Sequence, residues 1–139
     1  MRFIVGFSLI AIGLFYSSCT KEEPEPTVPV LTTFEATNVA QTSASTGGNI
    51  TSNGGLEVIE RGICWGTTNS PTTSGNKIVE GSGIGSFQID ILGLLGGKTY
   101  FARAFAMNEL GTSYGNEISF STQTATVLEV CAGRNTLWC

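Results

Sequence analysis

Four cysteines, eleven acidic side chains and no histidine set the chemistry open to this 139-residue chain. Without histidine there is no Ser-His-Asp or Cys-His nucleophile, no HExxH zinc site and no His-ligated metal. A carboxylate pair, a Ser-Lys pair or a calcium site is still compatible with the composition. The acids Glu57, Glu60, Glu80, Asp90, Glu109 and Glu117, however, are scattered over different segments. A glycosidase needs two carboxyls facing each other across a cleft, about 5 to 9.5 Å apart. The scatter predicts solvated surface charge instead. Gly81-Ser82-Gly83-Ile84-Gly85 also lacks the GK[ST] ending of a phosphate loop. The expectation is a non-enzyme without metal or cofactor.

Contact is the other chemistry on offer. In Thr99–Asn108, alternation puts Tyr100, Ala102, Ala104 and Ala106 on one face and Phe101, Arg103 and Phe105 on the other. Two aromatics flanking an arginine could stack on a sugar ring or anchor a protein partner. Cover by neighbouring side chains or an adjacent strand is the commoner fate of such a row. The seven Lys and Arg are dispersed, with no basic stripe to neutralise phosphates, so nucleic acid is excluded as a partner. Cys131 and Cys139 could close a short loop in an oxidising compartment, constraining the unfolded chain by about 2.5 kcal/mol. A frayed or truncated end is an equal reading of the tail 125–139.

The amino-terminal segment 1–18, MRFIVGFSLIAIGLFYSS, predicts a compartment. Arg2 gives a positive start, Phe3 to Tyr16 is almost unbroken apolar sequence, and Ser17 and Ser18 are small. A run of about fourteen residues falls short of the roughly twenty needed to span a bilayer. It reads as a secretory signal peptide. Cys19 follows directly, and the arrangement resembles the lipobox of bacterial lipoproteins, with Tyr16 where an aliphatic residue is usual. The resemblance implies cleavage before Cys19 and acylation of that cysteine, palmitate included. At about 0.8 kcal/mol per buried methylene, several acyl chains would hold a soluble domain firmly at a membrane.

Residues 19–29 then form an acidic tether carrying three of the four prolines, of the kind that stays extended and solvated. Lys21-Glu22-Glu23 resembles the signal that sends some Bacteroidetes lipoproteins to the outer face of the outer membrane. Surface exposure there is the expected location.

The candidate residues must be positioned by whatever folds between 30 and 124. Short β-rich runs recur there about every 8 to 12 residues, the spacing of a sandwich. Seven strands are expected, near Val30–Thr37, Ser45–Thr51, Val58–Trp65, Lys77–Glu80, Ser86–Leu92, Thr99–Asn108 and Glu117–Thr122. Asn53-Gly54-Gly55, Asn69-Ser70-Pro71, Gly81-Ser82-Gly83, Gly96-Gly97 and Glu109-Leu110-Gly111 supply turn chemistry between them.

Leu92-Gly93-Leu94, a glycine turn and then Thr99-Tyr100 resemble the E–F corner of fibronectin type III domains. The resemblance implies a seven-stranded fibronectin type III or immunoglobulin-like sandwich. It gives Leu94 and Tyr100 structural roles, with the Tyr100 hydroxyl bonded back to the corner. Gly96 stands where proline is common, which implies a looser loop. Arg61-Gly62-Ile63-Cys64-Trp65, Asn69-Ser70-Pro71-Thr72, Gly83–Phe87, Ala104–Asn108 and Gly111–Glu117 extend the likeness to a module repeated in Bacteroidetes surface lipoproteins. Matching positions imply that Ile63 and Trp65 point into the core, with Cys64 on the opposite face near Phe101 and Phe105.

Such modules serve as spacers, adhesion units or binding units. The expectation is a lipid-anchored envelope module for binding, adhesion or spacing, its loops after Gly54, Gly66 and Asn108 available for contact. Polysaccharide or a surface protein is the partner implied. An accessory subunit of a glycan-degrading or uptake system, or a structural remnant of a larger surface protein, is the alternative.

Overall fold

The computed structural model describes residues 19–125 together with Gly13. The rest of the leader, and the tail containing Cys131 and Cys139, lie outside the described residues. Alternating apolar and polar side chains broken by glycine turns give eight strands and, among the described residues, no helix. They are β1 Val30–Thr37, β2 Ser43–Ser52, β3 Glu60–Gly66, β4 Asn76–Gly81, β5 Gly85–Leu92, β6 Thr99–Asn108, β7 Gly111–Tyr114 and β8 Ile118–Ser121. Two antiparallel sheets result. One has the order β1-β2-β5; the other runs β4-β3-β6, with β7 and β8 both paired to β6 along its remaining edge.

The inner faces meet in one apolar core. Leu31, Ala44, Ile50, Phe87, Ile89 and Ile91 come from the first sheet, and Ile63, Ala102, Ala104, Ala106, Ile118 and Phe120 from the second. Small residues let the sheets approach closely at mid-strand. A Cβ on Gly48 would lie 2.7 Å from that of Ala104, so neither position has room for a larger side chain. The alternation expected for β6 is the one observed.

All seven expected strands are present, and β7 is an addition. A two-residue turn at Glu109 and Leu110 returns the chain so that Asn108 pairs with Gly111 and Phe105 with Tyr114. The regular ladder of β7 ends at Tyr114, and at this level Thr33 of the edge strand β1 reaches across to the second sheet. Thr33 donates its N–H to Asn116 Oδ1 (2.8 Å), and its Oγ1 accepts the Ala104 N–H (2.9 Å). Gly115 makes this crossing possible, since a Cβ there would lie 2.6 Å from Thr33 Oγ1. Pairing resumes at β8, where Thr99–Ala102 face Ile118–Ser121.

One pole gathers the tether, the β2–β3 loop and the β6–β7 turn. Thr27 donates its N–H to Gly54 O (2.8 Å), while buried Asn108 donates from Nδ2 to Thr27 O (2.8 Å) and Asn53 O (3.1 Å). Pro29 is buried as well, so the end of the tether is held against this pole.

The opposite pole holds the corner before β6. Tyr100 Oη accepts the Leu95 N–H (2.9 Å), its ring stacks on Phe120 with centroids 5.9 Å apart, and Leu94 is buried alongside. Thr122, following β8, donates its hydroxyl to Leu95 O (2.6 Å) and accepts the Lys98 N–H (3.0 Å). Gly97 donates to Gln123 O (3.2 Å). The looser corner that Gly96 implied is therefore stitched down from the end of β8.

Candidate functional site

Phe101, Arg103 and Phe105 share the outer face of β6, and their neighbours occupy much of it. Phe105 is 0% exposed. It pairs across to Gly62 on one side and Tyr114 on the other, and Lys77 Nζ lies 5.7 Å from its ring centroid. A Cβ on Gly62 would come within 3.0 Å of the Phe105 ring, so glycine there makes room for the aromatic. The Arg103 guanidinium carbon lies 4.6 Å from the Tyr114 ring centroid, and its Nε donates to Gly115 O (3.3 Å). Phe101 is half-buried, level with Gly66 and Ser119.

Cys64 occupies the same face, opposite Arg103. It is 0% exposed, and its thiol approaches Pro71 O and Arg103 O, both at 3.4 Å. Burial pushes this thiol up to about 11 from an ordinary 9.0, against a smaller downward pull from the Arg103 guanidinium. At neutral pH it is a protonated, sheltered side chain and a poor nucleophile.

The cover over Cys64 is the β3–β4 loop, residues 67–75. It is pinned from across the sheet. Ser70, in the left-handed region at φ 55°, donates its N–H to the Glu117 carboxylate. The Thr73 N–H and hydroxyl both reach Tyr114 Oη (3.2 and 3.1 Å), and Gly75 donates to Thr72 O (3.1 Å). Pro71 is buried beneath this arch. Between the arch and the end of β3 lies a pocket of about 340 Å³ whose one aromatic wall is Trp65. Trp65 packs partly against the core and is half-buried, so it has both the structural role implied by the fold and a surface in the pocket.

The three loops expected to make contacts do not stand alike. Those after Gly54 and Asn108 are joined to each other and to the tether through Asn108 and Thr27. The loop after Gly66 sits toward the other pole and borders the Trp65 pocket. Several acids are already engaged. Glu80 pairs with Arg61 and Glu60 with Lys77, each at 2.8 Å, and Asp90 accepts the Ser45 hydroxyl at 2.6 Å. Arg61 also lies 5.2 Å from the Phe87 ring centroid, closing the space between the sheets. Among the described residues no cluster of His, Cys, Asp and Glu could hold a metal ion. Cys19 is exposed and unpaired at the outer end of the tether.

Asn108, Thr122 and the Thr33–Asn116 bond were not predicted from sequence. An asparagine after a run of core alanines is the visible trace of the first; nothing local marks the others.

No protein-family profile matches this chain, and no curated protein matches it in sequence. Solved structures share its fold. The sensor domain of the anti-sigma factor RsgI4 of Pseudobacteroides cellulosolvens superposes with a TM-score of 0.53 at 13% identity, over 71% of this chain and 98% of that one. A computationally redesigned β-sandwich protein gives 0.50 at 20% identity, over 72% of this chain and 98% of that one. A human fibronectin type III domain, the sixth of fibronectin type III domain containing protein 3, gives 0.49 at 22%, over 73% and 86%. With its three-stranded and five-stranded antiparallel sheets, the chain is an all-β sandwich of the fibronectin type III and immunoglobulin-like class. At these identities the likeness is one of fold.

Proposed function

We propose that this chain is a lipid-anchored, non-catalytic module that presents a β-sandwich at the outer face of the cell envelope. The observation that carries the reading is the junction at Thr27. The exposed segment from Cys19 is tied by Gly54 and Asn108 to one pole, so the Trp65 pocket and its arch lie toward the opposite pole. Cys19 is the acylation point implied by its leader, and residues 20–26 give reach. The work of the module is contact with a polysaccharide or a surface protein. The ion pairs of Glu60 and Glu80 support a non-catalytic role, since these carboxylates neutralise neighbouring cations instead of facing one another across a cleft.

Mass spectrometry of the mature chain from a Bacteroidetes host tests the anchor. The expected species begins at Cys19 and carries acyl chains, and Cys19→Ser moves the protein to the soluble fraction. An unmodified amino terminus would refute the anchor. Protease added to intact cells should digest the sandwich, and protection until the outer membrane is opened would refute the outward orientation.

A further inference from the structure

We propose that the Trp65 pocket is a binding site for an uncharged saccharide. Its lining combines one indole with the hydroxyls of Thr67, Thr68, Ser70 and Thr72 and the amide of Asn76. No Lys, Arg, Asp or Glu is among the lining residues. That composition selects ligand chemistry. A phosphate, sulfate or uronate would lose its hydration without gaining an opposite charge, whereas a neutral sugar ring meets what it needs. Hydroxyl and amide groups both donate and accept, matching a polyol's hydroxyls, and the indole offers an apolar surface to the ring's C–H face. The volume, about 340 Å³, lies at the low end of the roughly 300–1,000 Å³ range of small-molecule sites.

The loop is also shaped in advance. The bonds that fix the arch use the Ser70 and Thr73 N–H groups, the Thr73 hydroxyl and the Thr72 carbonyl. Among the described residues none of the hydroxyls of Thr67, Thr68, Ser70 and Thr72 has a protein partner. The polar groups that line the pocket are therefore free for a ligand, while the backbone that carries them is held. Holding a loop before the ligand arrives lowers the ordering cost that otherwise weakens binding at a shallow site. Ser70 is the clearest sign of this. A non-glycine residue in the left-handed region is unfavourable, and here a carboxylate from beyond β7 holds it there.

The assignment rests on the contact reading of the module and names its ligand class, and it is tested separately from the anchor. The purified mature chain is titrated with cellotetraose, maltotetraose, xylotetraose and mannotetraose, with trigalacturonate and inorganic phosphate as charged controls. Saturation-transfer NMR and tryptophan fluorescence report binding. At least one neutral oligosaccharide is expected to bind and both charged probes to fail. Thr68→Val with Asn76→Ala, exposed positions outside the core, should weaken binding about tenfold while leaving the melting temperature within a few degrees. Trp65→Phe should weaken it too, and if that variant melts early the Thr68/Asn76 pair still decides. Absence of binding by all four neutral probes, or undiminished binding in the Thr68/Asn76 variant, overturns the assignment. Neither result bears on acylation at Cys19, and an unacylated Cys19 does not bear on this titration.

Discussion

Tyr100 works at both ends of its side chain. The ring lies in the core against Phe120, and the hydroxyl closes the corner on the Leu95 N–H. Tyr100→Phe keeps the first contact and removes the second, at an expected cost of about 1–2 kcal/mol. A lower urea midpoint at unchanged slope would report it. Cys64 makes a different prediction. Its pKa is about 11 in the folded chain against 9.0 for an ordinary thiol, so folding favours the protonated form. That contribution is fully present below pH 9.0 and is lost as pH rises toward about 11. Denaturation midpoints should therefore fall across that window, and Cys64→Ala should flatten the fall. At Asn108, alanine would remove the buried amide that donates to the Thr27 and Asn53 carbonyls, costing about 1 kcal/mol per bond lost.

Among the elements, the strands with regular alternation were readable to within a few residues, because one buried face imposes a period of two. β6 was read in full, Thr99–Asn108. β7 was missed for a physical reason: Gly111-Thr112-Ser113-Tyr114 is half-buried throughout and has no apolar face to betray it. Its existence depends on β6, which it pairs with through a two-residue turn. The arch of residues 67–75 was equally hidden. Its turn residues were visible, but its restraint comes from Tyr114 and Glu117, which follow Thr73 and Ser70 by 41 and 47 positions. Glu117→Ala removes one of these restraints. Faster amide exchange confined to residues 67–75, with little change in the exchange of β3 and β6, is the expected outcome. Gly62→Ala acts on an element from within. A Cβ there would meet both the Ile78 carbonyl and the Phe105 ring. Loss of the β3–β4 pairing and a stability decrease of about 3 kcal/mol or more should follow, read by thermal melting.

For the whole molecule, the fold class was legible and the ligand was not, because a sandwich's core pattern says nothing about which loops are free. The outer row of β6 looked available in sequence, yet Phe105 is enclosed by Gly62, Tyr114 and Lys77. The placement of the poles also came only from three dimensions, through Asn108 and Thr27. That placement has a mechanical consequence. The chain enters at the pole where β1 begins and, after β8, leaves at the other, beside Thr122 and Lys98. Drag on the far pole, opposed by the anchor proposed at Cys19, would pull β1 and β8 along their own lengths. Their ladders would then slide as rows, each rung sharing the load, where a pull from one side would open them rung by rung.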